Sequence, residues 1–393
     1  MDLQGGFVEM WSVVIVSFWM LFGGLMHGEE GLRETGGFSV FSPRDYQVFQ
    51  RNSREWGTIE VRGEISVERG LTAQIQWRLV DPQQNSWKDL EVEWMGRAYR
   101  GLIQLPAGGW YRMECRCVVD DEIVGRASIA HVGVGEVFIV AGQSNSANHG
   151  EVRQHTQTEK VSVVHNDRWQ LAHDPQPGAS GEGGSFLPVF GDRLVKRFKV
   201  PVGLVACGIG ATSVREWLPR GCSFPNPPTL IGRVEPMDNG LWRSKGEAFD
   251  MLVERARVFG RKGFRAVLWH QGESDANQKD PSRTLPGGLY RDSMERLIRN
   301  FREQCRWEAP WFVALASYHS ADDVGSEAIR EAQSSLWHDG VALEGPDSDA
   351  LRGSFRDNGG RGVHFSDLGL KQHGTLWAEC VENWLIEELA RVR

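Results

Sequence analysis

From Glu136 to its C terminus the chain alternates short apolar, largely β-branched runs with segments of helical period, and no other feature constrains its fold as tightly. The strand candidates are residues 137–141, 161–165, 202–207, 266–270, 311–317 and 341–343. Between them, Phe249, Leu252, Val253, Ala256 and Phe259 recur at helical spacing, as do Tyr290, Met294, Leu297, Ile298, Phe301 and Cys305. A last helix is expected to start with Ser366 as its N-cap and to turn Leu376, Trp377, Cys380, Val381, Trp384 and Leu385 inward. Strands that alternate with helices build a parallel sheet covered on both faces. Right-handed crossovers then gather every strand's carboxyl end on one rim, where ligands bind in open α/β sheets.

The preceding region has a different rhythm. Residues 57–63, 73–80, 101–105 and 110–119 alternate or are rich in β-branched side chains, with turn material at Pro106-Ala-Gly-Gly and Asp81-Pro-Gln-Gln-Asn. No helical period is evident, which predicts an antiparallel β-sandwich, immunoglobulin-like in general shape, over 36–134. Its expected use is to shape one side of a cleft in the following domain, 135–393. Cys115 and Cys117 fall on one face of a strand. With six scattered Cys and no Cys-x-x-Cys, no metal site is expected and no disulfide is assigned. Sixteen Trp are expected to be mostly core, the exposed few being able to stack on sugar rings.

Further upstream, Trp11 to Met26 is an apolar run of signal-peptide length. Residues 1–28 are therefore read as a signal peptide or membrane anchor, and the protein as exported: periplasmic, extracellular or membrane-anchored. Asp2 and Glu9 precede the run without any Lys or Arg, which keeps the uncleaved anchor open. The anchor is the one membrane contact expected. A net charge of −8 argues against nucleic acid as a partner, because phosphate binding needs a basic face.

Four polar groups follow predicted strands on the rim. Strand 137–141 runs into Gly142-Gln143-Ser144-Asn145, where a serine is either a helix cap or a nucleophile facing a cleft. The others are Gly208-Ile-Gly210, then Gln271-Gly-Glu273-Ser-Asp275, then Gly362-Val-His364-Phe-Ser366. A serine attacks when neutral imidazole takes its proton near pH 7, and the resulting oxyanion needs donors aimed at it. Ser144 with His364 would form the reacting pair. The Ser144 N–H, the Gly210 N–H and the Gln271 amide would be the donors, and Gln143 and Asn145 would line the substrate site.

These blocks, in this order from Val134 onward, resemble the SGNH (GDSL-like) hydrolase superfamily, and within it the sialate O-acetylesterase and acetylxylan esterase branch. The resemblance implies a three-layer α/β/α flavodoxin-like domain, preceded by a β-sandwich, that removes acetyl groups from sugars without a metal or other cofactor. It places the nucleophile on Ser144, the base on His364, and the oxyanion donors on the Ser144 N–H, Gly210 and Gln271. One position departs from the pattern. Three residues before His364, where the superfamily carries the acid of its triad, stands Arg361. The expected substitute is Glu273, then Asp357 in the insertion-like loop Arg356-Asp-Asn-Gly-Gly-Arg361, then Asp275. Asp367 falls in the first turn of the last helix, where the dipole favours negative charge. The expected activity is a serine carbohydrate O-acetylesterase acting on an acetylated carbohydrate. The alternatives are an esterase or lipase for longer acyl chains, and a glycan-binding protein whose hydrolase domain is impaired.

Overall fold

The computed structural model describes residues 37–66, 73–81 and 85–391. The segment 1–28, with its expected signal or anchor, lies outside the described residues. Among the described residues no helix is long and apolar enough to cross a membrane.

The N-terminal strands are β1 (Phe38–Ser42), β2 (Gln47–Gln50), β3 (Trp56–Ile65), β4 (Ala73–Leu79), β5 (Lys88–Asp89), β6 (Val92–Met95), β7 (Ala98–Pro106) and β8 (Gly108–Val119). β1, β3, β7 and β6 form one antiparallel sheet in that order; β5, β4 and β8 pair antiparallel in a second. Ile59 and Val61 from the first sheet share one core with Ile75, Met113, Cys115 and Cys117 from the second. The six cysteines are free thiols.

Strand β9 (Glu122–Gly142) is 21 residues long and serves both parts of the molecule. Its first half pairs antiparallel with β8, and its second half is the centre of a parallel sheet. The change of rhythm near Glu136 is thus a change in what covers one continuous strand, from alternating burial to burial on both faces. Gly135 sits at the crossover because the backbone of Pro201 presses against it; a Cβ there would lie 1.9 Å from the Pro201 carbonyl oxygen. Burial pushes the Glu136 carboxyl up, but Arg265 at 2.6 Å and Arg51 at 2.5 Å outweigh this and hold it below the usual range.

The remaining strands are β10 (Val161–His165), β11 (Arg168–Leu171), β12 (Val202–Ala206), the short β13 (Ser223–Phe224), β14 (Val234–Pro236) and β15 (Trp242–Ser244), then β16 (Ala266–His270), β17 (Trp311–Leu315) and β18 (Leu343–Asp347). The main sheet runs β11-β10-β12-β9-β16-β17-β18, parallel throughout except for the β10–β11 pair. The helices are α1 (Leu187–Phe198), α2 (Glu247–Arg257), α3 (Gly287–Cys305), α4 (Glu327–His338), the single turn α5 (Asp357–Gly360) and α6 (Asp367–Arg391). Val137, Ile139 and Ala141 of β9 pack with α2, α3 and α4, while Phe138 and Val140 pack with α1 and α6. Trp217, Trp269, Trp311 and Trp377 are fully buried.

Helix α6 begins where the sequence predicts, with Ser366 Oγ accepting the Gly369 N–H at 3.1 Å. Trp377, Val381 and Leu385 are buried on it, and Leu376, Cys380 and Trp384 half-buried. The strand expected at 341–343 instead lies at Leu343–Asp347, because the N–H groups of Val341 and Ala342 both close the end of α4 on the Leu336 carbonyl. Since β9 lies between β12 and β16, the chain leaves it first to one side and later to the other. Its carboxyl end is therefore the topological switch point, the place where open α/β sheets bind ligands.

Candidate functional site

At the end of β9, Gly142 adopts φ +125°, and a Cβ there would lie 2.0 Å from the His270 carbonyl oxygen, so only glycine lets β16 approach this closely. The chain then enters a buried 3-10 turn over Ser144–Ser146. Gln143, expected to face substrate, ties this turn to the segment after β16 through its N–H and its Oε1. Its N–H donates to the His270 carbonyl at 2.9 Å, and its Oε1 accepts the Ser274 N–H at 3.0 Å.

His364 stands at the base of a loop that closes on itself. Arg356 bridges Phe365, and the Asp357 N–H donates to the His364 carbonyl at 2.9 Å. The loop turns through Asn358, Gly359 and Gly360, all at positive φ. Gly362 leaves room for the Asp357 carboxylate, since a Cβ there would fall 1.6 Å from Oδ1. This closure brings Asp357 Oδ2 to 3.6 Å from His364 Nδ1, an ion-pair separation, while Arg361 is exposed. Burial pushes the Asp357 carboxyl up. Burial also pushes the His364 imidazole down; the Glu273 charge works against this and Arg356 works with it.

The two stretches meet through Asn145. Its Nδ2 donates to Glu273 Oε1 at 2.9 Å and to the Val363 carbonyl at 3.2 Å, so the neighbour of Ser144 holds the neighbour of His364. The Val363 carbonyl also accepts from Arg356 Nη1 at 2.8 Å. That buried guanidinium lies between the rings of Tyr318 and Phe365, 4.0 and 4.4 Å from their centroids. The sequence predicts no role for Arg356, although it opens the loop singled out for Asp357. It also predicts none for His149 and Ser180, which line the same space.

The segment after β16 is mostly engaged in structure. Asp275 accepts from Ser213 Oγ at 2.5 Å, the Val214 N–H at 2.8 Å, Gln271 Nε2 at 2.7 Å and Arg215 Nη2 at 3.1 Å, which removes it as a partner for His364. Gln271 gives its amide hydrogens to Asp275, to the Thr212 carbonyl at 3.1 Å and to Gln143 Oε1 at 3.3 Å, all inside the protein. The reverse amide orientation would set its oxygen against the Asp275 carboxylate, so Gln271 braces this segment and has no donor left for an oxyanion. Gly210 donates its N–H to Ser180 Oγ at 2.7 Å. Glu273 keeps a second oxygen, Oε2, that is buried and has no hydrogen-bond partner among the described residues. His270 beside it is pushed down to about 3 by burial and is therefore neutral. Asp367 opens α6 and accepts from Gln154 Nε2 at 2.9 Å. Among the described residues no three His, Cys, Asp or Glu side chains gather as metal ligands would.

Residues 134–381 match the family model of carbohydrate esterases described as sialic acid-specific acetylesterases. A probable carbohydrate esterase of Arabidopsis thaliana is 25% identical over 228 residues, which span 51% of this chain and 75% of that protein. The solved structure of a carbohydrate acetylesterase from Xanthomonas citri is similar with a TM-score of 0.51 at 17% identity, over 88% of this chain and 74% of the other. At that identity the likeness is one of fold.

Proposed function

The chain belongs to the carbohydrate esterase family of sialic acid-specific acetylesterases, and on that premise we propose that it removes O-acetyl groups from sugars, sialic acids among them, by serine catalysis. Ser144 is the nucleophile and His364 the base that takes its proton. Asp357 is the carboxylate that orients the imidazole and steadies its charge. The Ser144 N–H receives the developing oxyanion, joined by the Gly210 N–H once the substrate oxygen displaces Ser180 Oγ. Neither proton nor acyl transfer in this scheme calls for a cofactor. We also read the parallel sheet with its two helical coverings as the three-layer SGNH domain, and the two antiparallel sheets before it as a β-sandwich.

The observation that carries the reading is the Asn145 hydrogen bond to the Val363 carbonyl, 3.2 Å long, which spans from the serine turn to the histidine loop. What supports the choice of acid is the 3.6 Å separation of Asp357 Oδ2 and His364 Nδ1. The purified protein is expected to release acetate from O-acetylated sialic acid and other acetylated sugars, and Ser144→Ala to lower kcat by about 10⁴-fold or more. Undiminished turnover in Ser144→Ala rules out the serine mechanism. We keep export as a reading from the apolar run at 11–26; cell fractionation with and without residues 1–28 tests it.

A further inference from the structure

We propose that His149 is a specificity-determining residue of this site: its Nδ1–H donates a hydrogen bond to the sugar half of the ester. The inference rests on the esterase reading above and adds a residue to it. His149 is half-buried, and its ring centre lies 5.3 Å from that of His364, tilted by 32°. The Gly210 and Gly181 backbones press against the same ring. A Cβ on Gly210 would lie 2.7 Å from Nε2, and one on Gly181 would lie 2.9 Å from Cδ2. The imidazole therefore belongs to the wall of the crevice that the base occupies.

Before substrate binds, the hydrogen bonds around it select one tautomer. His149 Nε2 is 3.0 Å from Ser180 Oγ, and that oxygen already accepts the Gly210 N–H at 2.7 Å. If Oγ also accepted a proton from Nε2, its own hydroxyl hydrogen would have no partner among the described residues. The arrangement that satisfies all three groups runs from the Gly210 N–H to Ser180 Oγ, and from the Ser180 hydroxyl to His149 Nε2. The ring hydrogen then sits on Nδ1, which has no partner among the described residues.

Burial, and next the neighbouring His364, both disfavour a charge on His149. It stays neutral while His364 takes up the serine proton. An uncharged N–H suits an uncharged acceptor, such as a sugar hydroxyl or ring oxygen. Two other amide side chains near Ser144 have no donor to offer. Asn145 gives its hydrogens to Glu273 and Val363, and Gln271 gives its own to Asp275, Thr212 and Gln143. His149 thus offers, beside the Gln143 amide, a side-chain donor that can read what the acetyl group is attached to.

The test compares an O-acetylated sugar with p-nitrophenyl acetate, which carries the same acyl group on a leaving group without sugar hydroxyls. In full-length protein, His149→Phe keeps an aromatic ring and removes the donor, and His149→Asn keeps a short donor. The ratio of kcat/KM for the sugar ester to that for p-nitrophenyl acetate is expected to fall about tenfold in His149→Phe, chiefly through KM for the sugar, and to recover in part in His149→Asn. An unchanged ratio in His149→Phe, with both rates equally lowered or neither, overturns the proposal and leaves the esterase reading standing. Failure of the esterase reading looks different, because the unaltered protein then hydrolyses neither ester.

Discussion

Residues 271–275 and residues 357–364 both bring carboxylates to the crevice at the end of β9, and they treat them in opposite ways. The Asp275 carboxylate is surrounded by donors on both oxygens and is fully buried, against an equally buried Arg215. The Asp357 carboxylate has one buried oxygen with no hydrogen-bond partner at full hydrogen-bond geometry among the described residues, and the other 3.6 Å from an imidazole. A carboxylate whose lone pairs are all taken locks a loop in place. One with unfilled capacity can respond when the imidazole beside it gains a proton. Glu273 is intermediate, with one oxygen held by Asn145 and the other unpartnered among the described residues. Hydrogen-bond saturation thus differs among the three acids, and the proposed mechanism gives each a separate task.

The largest effect expected from this contrast is at Asp357. Asp357→Asn keeps the shape of the side chain and removes the charge that, in the proposed mechanism, steadies the His364 imidazolium, so kcat is expected to fall by about 10²–10⁴-fold with little change in thermal stability. Steady-state kinetics beside a melting curve decide it; a rate within threefold of the unaltered protein would move the acid's role elsewhere. Next comes Asp275→Asn, where the contrast predicts lost stability. Breaking one side of a buried charge pair costs about 3–5 kcal/mol, so denaturant unfolding should show a loss of that order. A variant with unaltered stability and abolished turnover would instead mark Asp275 as part of the chemistry.

Much of this was legible before any coordinates. The central strands are short, mostly apolar and buried runs, and such runs announce themselves; 137–141, 161–165 and 266–270 all lie in the main sheet. Helix α1 was less visible, because Pro188 and Gly191 interrupt its period. Pro188 occupies the first turn, where no N–H is needed, and Gly191 gives way to Val161, which would meet a Cβ at 2.3 Å. The order of the polar blocks pointed to Ser144 and His364 lying at one rim, and Asn145 with Val363 is how the chain brings the two stretches together. The neighbour of His364 could not be read from spacing. It depends on a turn through three positive-φ residues, Asn358 to Gly360, that folds Asp357, the second of the expected substitutes, back toward the histidine. Nor does a motif reveal competition for its own donors. Gln271 and Gly210 occupy the expected places, but Asp275 and Ser180 hold their hydrogens.

The smallest expected effect is also the finest probe of the contrast. If Glu273 acts on His364 only through its field, Glu273→Gln keeps an oxygen for Asn145 Nδ2 and removes a charge. Burial and Arg356 already push the His364 imidazole below its ordinary value, and the Glu273 charge pushes it up. Without that charge the imidazole loses its proton at still lower pH. The base must be neutral to work, so kcat/KM declines as pH falls through the His364 value, and in the variant this decline begins at lower pH. Above that range the rate should stay within a few fold of the unaltered protein. A pH profile from 4 to about 8 separates the outcomes. A plateau lowered as far as in Asp357→Asn would make Glu273 the orienting acid and erase the division of labour between the two segments. A decline displaced downward beneath an intact plateau would leave Asp357 holding the imidazole and Glu273 setting the acidity at which it works.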